Sequence, residues 1–209
     1  SGSNNKLKLS AGAHDLTTNA NLQNIKTIDA HSSGSTLDLT NQSENYTING
    51  AASGDNLKGG SGNDSITGKG GSDIITGGLG DDTFNIDSGT DTIKDLGGAA
   101  GGQSDVLKVS VGAIANAVDI KNFAATSDTQ NLGSATLTTV TTGGGIINMN
   151  SASGNASYTI IGGAGAVTLT GDGGADTFKI LTATHGNSDT FDGKLGDDTL
   201  EVSLGEHVL

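Results

Sequence analysis

The chain has 209 residues, a formal charge of −13, 35 glycines, and no proline, cysteine or tryptophan. So acidic a chain argues against nucleic acid and anionic membrane as direct partners, and the lack of cysteine excludes disulfides, zinc–thiolate sites and thiol catalysis. Its few aromatic residues (Tyr46, Phe84, Phe123, Tyr158, Phe178 and Phe191) argue for a narrow core of Ile, Leu and Val from short strands, in one or two domains.

Residues 6–49 are rich in Thr, Asn, Ser and Leu, with alternating apolar positions at Leu7 and Leu9, Leu37 and Leu39, Tyr46 and Ile48. This alternation predicts short strands joined by polar turns. Within 21–30, Leu22 and Ile25 have helical spacing, but Thr27 and Ile28 favour a strand.

Residues 59–85 are three contiguous nonapeptides, GGSGNDSIT, GKGGSDIIT and GGLGDDTFN. Each has Asp at position six (Asp64, Asp73, Asp82) and a large apolar residue at position eight (Ile66, Ile75, Phe84). The register extends back through 50–58, with Asp55 and Leu57, and on through 86–94, with Gly89, Asp91 and Ile93. Such composition alone suits a flexible linker, but a linker has no reason to hold an apolar residue every nine positions. Glycine lets a tight turn adopt φ > 0 and aim its carbonyls inward, and the following x-apolar-x triplet is a minimal strand. One buried apolar side chain per unit is a small return for ordering so glycine-rich a backbone, and stacked carboxylates repel. A hard dication that takes carboxylate and carbonyl oxygens removes both deficits, so this stretch is expected to order on calcium.

Residues 95–112 read as a closing segment, with a Gly/Ala loop before Asp105. Residues 113–152 contain no nonapeptide, but 118–120 and 135–140 read as strands and Phe123 as core. A second set of units follows at 153–161 (Tyr158, Ile160), 162–170 (Val167 where Asp is expected, Leu169) and 171–179 (Asp176, Phe178). After a four-residue insertion come 184–192 (Asp189, Phe191) and 193–201 (Asp198, Leu200). This roll is shorter and should hold fewer ions.

Internal comparison shows a duplication. Residues 7–12 (LKLSAG) return at 107–112 (LKVSVG) and 200–205 (LEVSLG). Tyr46-Thr47-Ile48 answers Tyr158-Thr159-Ile160, and Asp82-Thr83-Phe84 answers Asp176-Thr177-Phe178. Between these pairs the first copy is longer by two nonapeptides, one complete coil. The expected division is 1–12 as the end of a preceding repeat or an expression scar, 13–112 as a first repeat with its roll at 50–94, and 113–209 as a second with its roll at 153–201. No apolar run reaches membrane-span length and no signal peptide is visible at the N-terminus.

Residues 50–112 and 162–205 resemble the β-rolls of the repeats-in-toxin (RTX) family, type I-secreted bacterial toxins, proteases, lipases, adhesins and surface-layer proteins. The resemblance implies an all-β, right-handed parallel β-roll or β-solenoid in which two nonapeptides make one coil and Ca²⁺ lies between turns one coil apart. Asp55, Asp73 and Asp91 would line one edge and Asp64 and Asp82 the other, with Asp176 and Asp198 on a common edge of the second roll and Asp189 a further ligand. Turn residues Gly59, Ser61, Gly68, Gly70, Gly77, Leu79, Gly171, Gly173, Gly193 and Leu195 would complete the sites. Lys69, Ala51, Ala52 and Val167 depart from the pattern.

An enzyme is not expected. The chain has no His-Glu-x-x-His or Gly-x-Ser-x-Gly motif, Lys69 is followed by Gly70 rather than Ser or Thr, and His14, His31, His185 and His207 are scattered. The regularly placed Asp residues are absorbed as calcium ligands rather than left over as a glycosidase pair. Matched positions make Tyr46 and Tyr158 core residues rather than ligand platforms. The expected role is a calcium-dependent structural repeat of a secreted, extracellular protein on the bacterial cell surface, most like a surface-layer protein. Its expected partners are several calcium ions and further copies of itself, with neither nucleic acid nor membrane insertion. The alternatives are an adhesin repeat taking a cell-surface polysaccharide, or the calcium module of a secreted enzyme or toxin.

Overall fold

The computed structural model describes residues 5–16, 22, 24–97, 103–139, 144–180 and 188–203. Every regular element among them is a β-strand. The first half contains β1 (Asn5–Lys8), β2 (Gly12–Asp15), β3 (Ile25–Asp29), β4 (Ser35–Asp38), β5 (Thr47–Asn49), β6 (Asn56–Lys58) and β7 (Ser65–Thr67). Next come β8 (Ile74–Thr76), β9 (Thr83–Ile86), β10 (Thr90–Lys94), β11 (Val106–Val109), β12 (Ile114–Ile120), β13 (Asn122–Ala124) and β14 (Gln130–Asn131). The remainder are β15 (Ser134–Thr139), β16 (Gly145–Asn148), β17 (Tyr158–Gly162), β18 (Val167–Thr170), β19 (Thr177–Ile180), β20 (Thr190–Asp192) and β21 (Thr199–Val202).

These strands form a solenoid of wholly parallel sheets. Sheet A runs β1-β3-β5-β7-β9-β11-β14, and sheet B runs β2-β4-β6-β8-β10-β12-β15-β17-β19-β21. Sheet C is the shorter β13-β16-β18-β20. Successive nonapeptides therefore alternate between two faces, and each strand pairs with the strand one coil away. Position eight points inward. Ile48, Ile66 and Phe84 stack in sheet A, and Leu57, Ile75 and Ile93 in sheet B. All six are fully buried. Flanking Thr, Asn and Lys side chains face outward, as alternation requires.

Residues 24–49 and 113–139 belong to the same solenoid without carrying nonapeptides. Ile28 and Leu37 continue the two columns backward, and Ala117 and Leu137 carry sheet B forward. The strand expected near 27–28 is β3. The strand expected at 118–120 lies within β12, 135–139 of the strand expected at 135–140 lie within β15 while residue 140 is outside the described residues, and Phe123 is buried on β13.

Sheet B is continuous, but its partner changes. The coil from β12 to β15 touches all three sheets in the order B, C, A, B. Sheet A then stops at β14 and sheet C faces sheet B onward. In the first copy β5, with Ile48, follows β4 directly and lies in sheet A. In the second, β16 intervenes before β17, so Ile160, the equivalent residue, falls in sheet B. One extra half-coil moves the duplicated strand to the opposite face. The expected boundary at 112/113 falls just before β12, whose pairing with β10 carries sheet B across it. The expected insertion before 184 lies in 181–187, outside the described residues, as does the Gly/Ala loop at 98–102.

Candidate metal-binding turns

Each nonapeptide turn places its position-six Asp where a strand begins, and the carboxylate reaches across to the neighbouring coil. Asp55 N–H donates to Asp73 Oδ1 at 2.7 Å, and Asp73 N–H to Asp91 Oδ1 at 2.9 Å. On the opposite edge Tyr46 N–H donates to Asp64 Oδ1, Asp64 N–H to Asp82 Oδ1 and Asp82 N–H to Asp105 Oδ1, at 2.7, 2.7 and 2.8 Å. In the second roll Tyr158 N–H donates to Asp176 Oδ1 and Asp176 N–H to Asp198 Oδ1. Val167 N–H donates to Asp189 Oδ1, so this ladder has no carboxylate on the Val167 rung. The columns therefore hold Asp55, Asp73 and Asp91; Asp64, Asp82 and Asp105; and Asp176 and Asp198.

The second carboxylate oxygen, Oδ2, turns toward position one of its own turn. A Cβ on Gly59, Gly68, Gly77, Gly171 or Gly193 would collide with Oδ2 of Asp64, Asp73, Asp82, Asp176 or Asp198 respectively. Carbonyls of the next coil meet the same space. Gly68 O lies against Gly50 beside Asp55 Oδ2, Gly77 O against Gly59 beside Asp64 Oδ2, and Gly193 O against Gly171 beside Asp176 Oδ2. A carboxylate oxygen from one coil and a position-one carbonyl from the next thus converge on a glycine without a side chain to fill the space. All-oxygen donors of this kind fit Ca²⁺. Among the described residues no three His, Cys, Asp or Glu side chains group to hold a metal, so carbonyls must supply much of any coordination sphere.

Two of these oxygens are stranded. Asp73 Oδ2 and Asp91 Oδ2 are buried, no N–H or hydroxyl of the surrounding fold reaches them, and the two carboxyls meet each other. Burial, then the neighbouring carboxylates Asp91 and Asp55, pushes Asp73 up to about 7. Burial, then Asp105, Asp64 and Asp95, pushes Asp82 up to about 8. Asp91, Asp105 and Asp176 rise to about 6, and Asp64 also rises, burial being the largest cause in each. Such a charge-starved column is what a bound dication would relieve.

The remaining expected donors are placed less directly. Position-three residues Ser61, Gly70 and Leu79 bond through N–H to Gln42 O, Ala51 O and Gly60 O of the preceding coil. Gly173 is packed against the Asn155 side chain, and Leu195 is an exposed turn residue. Three acidic residues were not anticipated as site residues. Asp105 Oδ1 and Oδ2 accept from Asp82 and Gly97, and its signal was the Asp105-Val106-Leu107 spacing, identical to Asp82-Thr83-Phe84. Asp95, at φ 63°, accepts Gly77 N–H and Gly78 N–H, and burial raises it to about 6. Buried Asp172 accepts from Gly174 and Ala156. Asp95 and Asp172 stand at positions one and two, where the repeat has glycine, so no pattern marked them.

Residues 49–84, 58–93, 159–179 and 185–203 match the sequence model of the RTX calcium-binding nonapeptide repeat, in four copies. No curated protein and no solved structure matches the chain. The matched segments coincide with the carboxylate ladders, and repeats of this kind bind calcium.

Proposed function

We propose that the chain is a calcium-ordered structural repeat of a type I-secreted bacterial surface protein, and that its units associate end to end into an array of the surface-layer kind. The matched repeats support calcium ordering and an extracellular setting, where calcium is abundant enough to fill sites of 10⁻⁴–10⁻³ M. Structural rather than catalytic use is supported by the position of the donors, which are spent along both edges of a narrow solenoid.

The observation that carries association is at the last strand. Leu200 and Val202 on β21 are 51% and 49% exposed, although they continue the columns of Phe178 and Ile180. Their sequence equivalents Leu107 and Val109 on β11 pair in the same register with Phe84 and Ile86 and are 1% and 2% exposed. Among the described residues β21 has no strand on its outer side. A following coil of the same kind, from a further repeat or from another copy, would cover it and extend the parallel sheets. A head-to-tail contact whose rotation does not close builds arrays.

The test is light scattering and electron microscopy during a calcium titration, with a glycan-binding screen alongside. Calcium-dependent sheets or filaments are expected. A strictly monomeric calcium-loaded chain that binds one glycan class tightly would replace this reading with an adhesin.

A further inference from the structure

We infer that the backbone at position two of each nonapeptide decides which turns take calcium first, and that Lys69 makes the Asp73–Asp91 turn the first to fill. This rests on the calcium reading above. In three turns the position-two N–H closes onto the Oδ2 of its own Asp: Ala51 to Asp55, Gly60 to Asp64 and Asp172 to Asp176, at 2.7, 2.9 and 2.9 Å. None of those three donors has a positive φ.

In three other turns position two is left-handed: Lys69 at φ 67°, Gly78 at 114° and Lys194 at 71°. There the N–H points elsewhere. Gly78 donates to Asp95 Oδ2 and Lys194 to Asp192 Oδ1. At Lys69 the result is an Asp73 Oδ2 that no N–H reaches; Asp91 Oδ2 lies beside it in the same condition although its own position-two residue, Asp87, has no positive φ. Both residues are at most 1% exposed. A Cβ on Gly68 would overlap the first oxygen and lie 3.2 Å from the second, so both converge on one glycine.

A closed turn already commits one lone pair of Oδ2 to its N–H, which lowers the oxygen's value to an ion until the peptide rotates. The Lys69 turn has already made that rotation and offers two buried carboxylate oxygens that only each other's carboxyl contacts. The left-handed lysine costs local free energy in the metal-free fold, which the ion recovers. Lys194 places the last turn of the second roll in the same open state.

The test is calorimetric titration of the full chain with calcium alone, with circular dichroism at saturating calcium as the folding control. Lys69→Val, whose branched side chain resists φ > 0, should weaken the tightest class of sites about tenfold. Lys69→Asn, which tolerates the left-handed region, should leave it within about twofold. Asp73→Asn should remove the tightest class, and Asp64→Asn, whose Oδ2 is already bonded, should spare it. The inference is overturned if Lys69→Val and Lys69→Asn behave alike, or if Asp64→Asn rather than Asp73→Asn removes the first ion. A wild-type chain that takes up no calcium removes the underlying reading instead.

Discussion

At the scale of single residues the acidic ladder has a pH signature. Buried carboxyls with pKa raised from 3.8 to between about 6 and 8 stay neutral in the metal-free fold where the unfolded chain ionises. Their contribution to stability is therefore fully present below about pH 4 and is lost as pH rises through 6 to 8. With chelator present, circular dichroism should show more β-structure at pH 4–5 than at pH 8. Calcium should reverse the order, because it competes with protons and binds best where the carboxylates are ionised. Rungs of the ladder are also unequal. Asp73 links Asp55 and Asp91, whereas Asp189 faces Val167. Asp73→Ala should reduce overall calcium affinity roughly tenfold more than Asp189→Ala, and equal losses in a titration would contradict the ladder assignment.

At the scale of elements the unit of the fold is the coil, not the strand. Strands of three residues such as β6, β7 and β8 have no independent stability, and each is held by the coils on either side. Their one buried side chain matters accordingly. Ile66→Ala, at the centre of a column between Ile48 and Phe84, should cost about 2–5 kcal/mol of calcium-loaded stability in a denaturant titration. Deleting 59–76 removes one complete coil and keeps every later strand in phase, so a calcium-induced β-spectrum should survive with fewer ions bound. Deleting 59–71 breaks the nine-residue phase, puts Asp and apolar positions out of column, and should abolish that response. Equal tolerance of the two deletions would argue against the coil as the folding unit.

At the scale of the whole molecule the charge of −13 and the open end strand set the behaviour. Metal-free, so acidic a chain is expected to repel itself and other copies, and cation binding along both edges should lower that repulsion and order the coils. Leu200→Lys combined with Val202→Lys adds charge to the exposed apolar columns of β21 without touching a ladder. The variant should fold on calcium with an unchanged circular dichroism spectrum and fail to scatter light. Assembly at wild-type levels would move the contact surface away from this end. Magnesium should substitute poorly in either assay, since it demands a stricter octahedron and gives up its waters reluctantly.

The nine-residue pattern by itself determined the strands of 50–94 and the inward direction of Leu57, Ile66, Ile75, Phe84 and Ile93, and the resemblance it carries implied the division of Asp55, Asp73 and Asp91 from Asp64 and Asp82. It could do so because strand period, turn length and core position all repeat in one short window. Only the tertiary structure decided the rest. Residues 24–49 and 113–139 join the same solenoid through irregular coil lengths that leave no period to read. The passage from sheet A to sheet C depends on the extra strand β16, whose effect is felt a coil away, on β17. Asp95 meets the Gly77 and Gly78 N–H groups from a position where the repeat has glycine. The open state of the Lys69 turn is a backbone torsion, and the same Gly-rich pattern permits either sign of it: the residue type allows the choice, and the neighbouring coils make it.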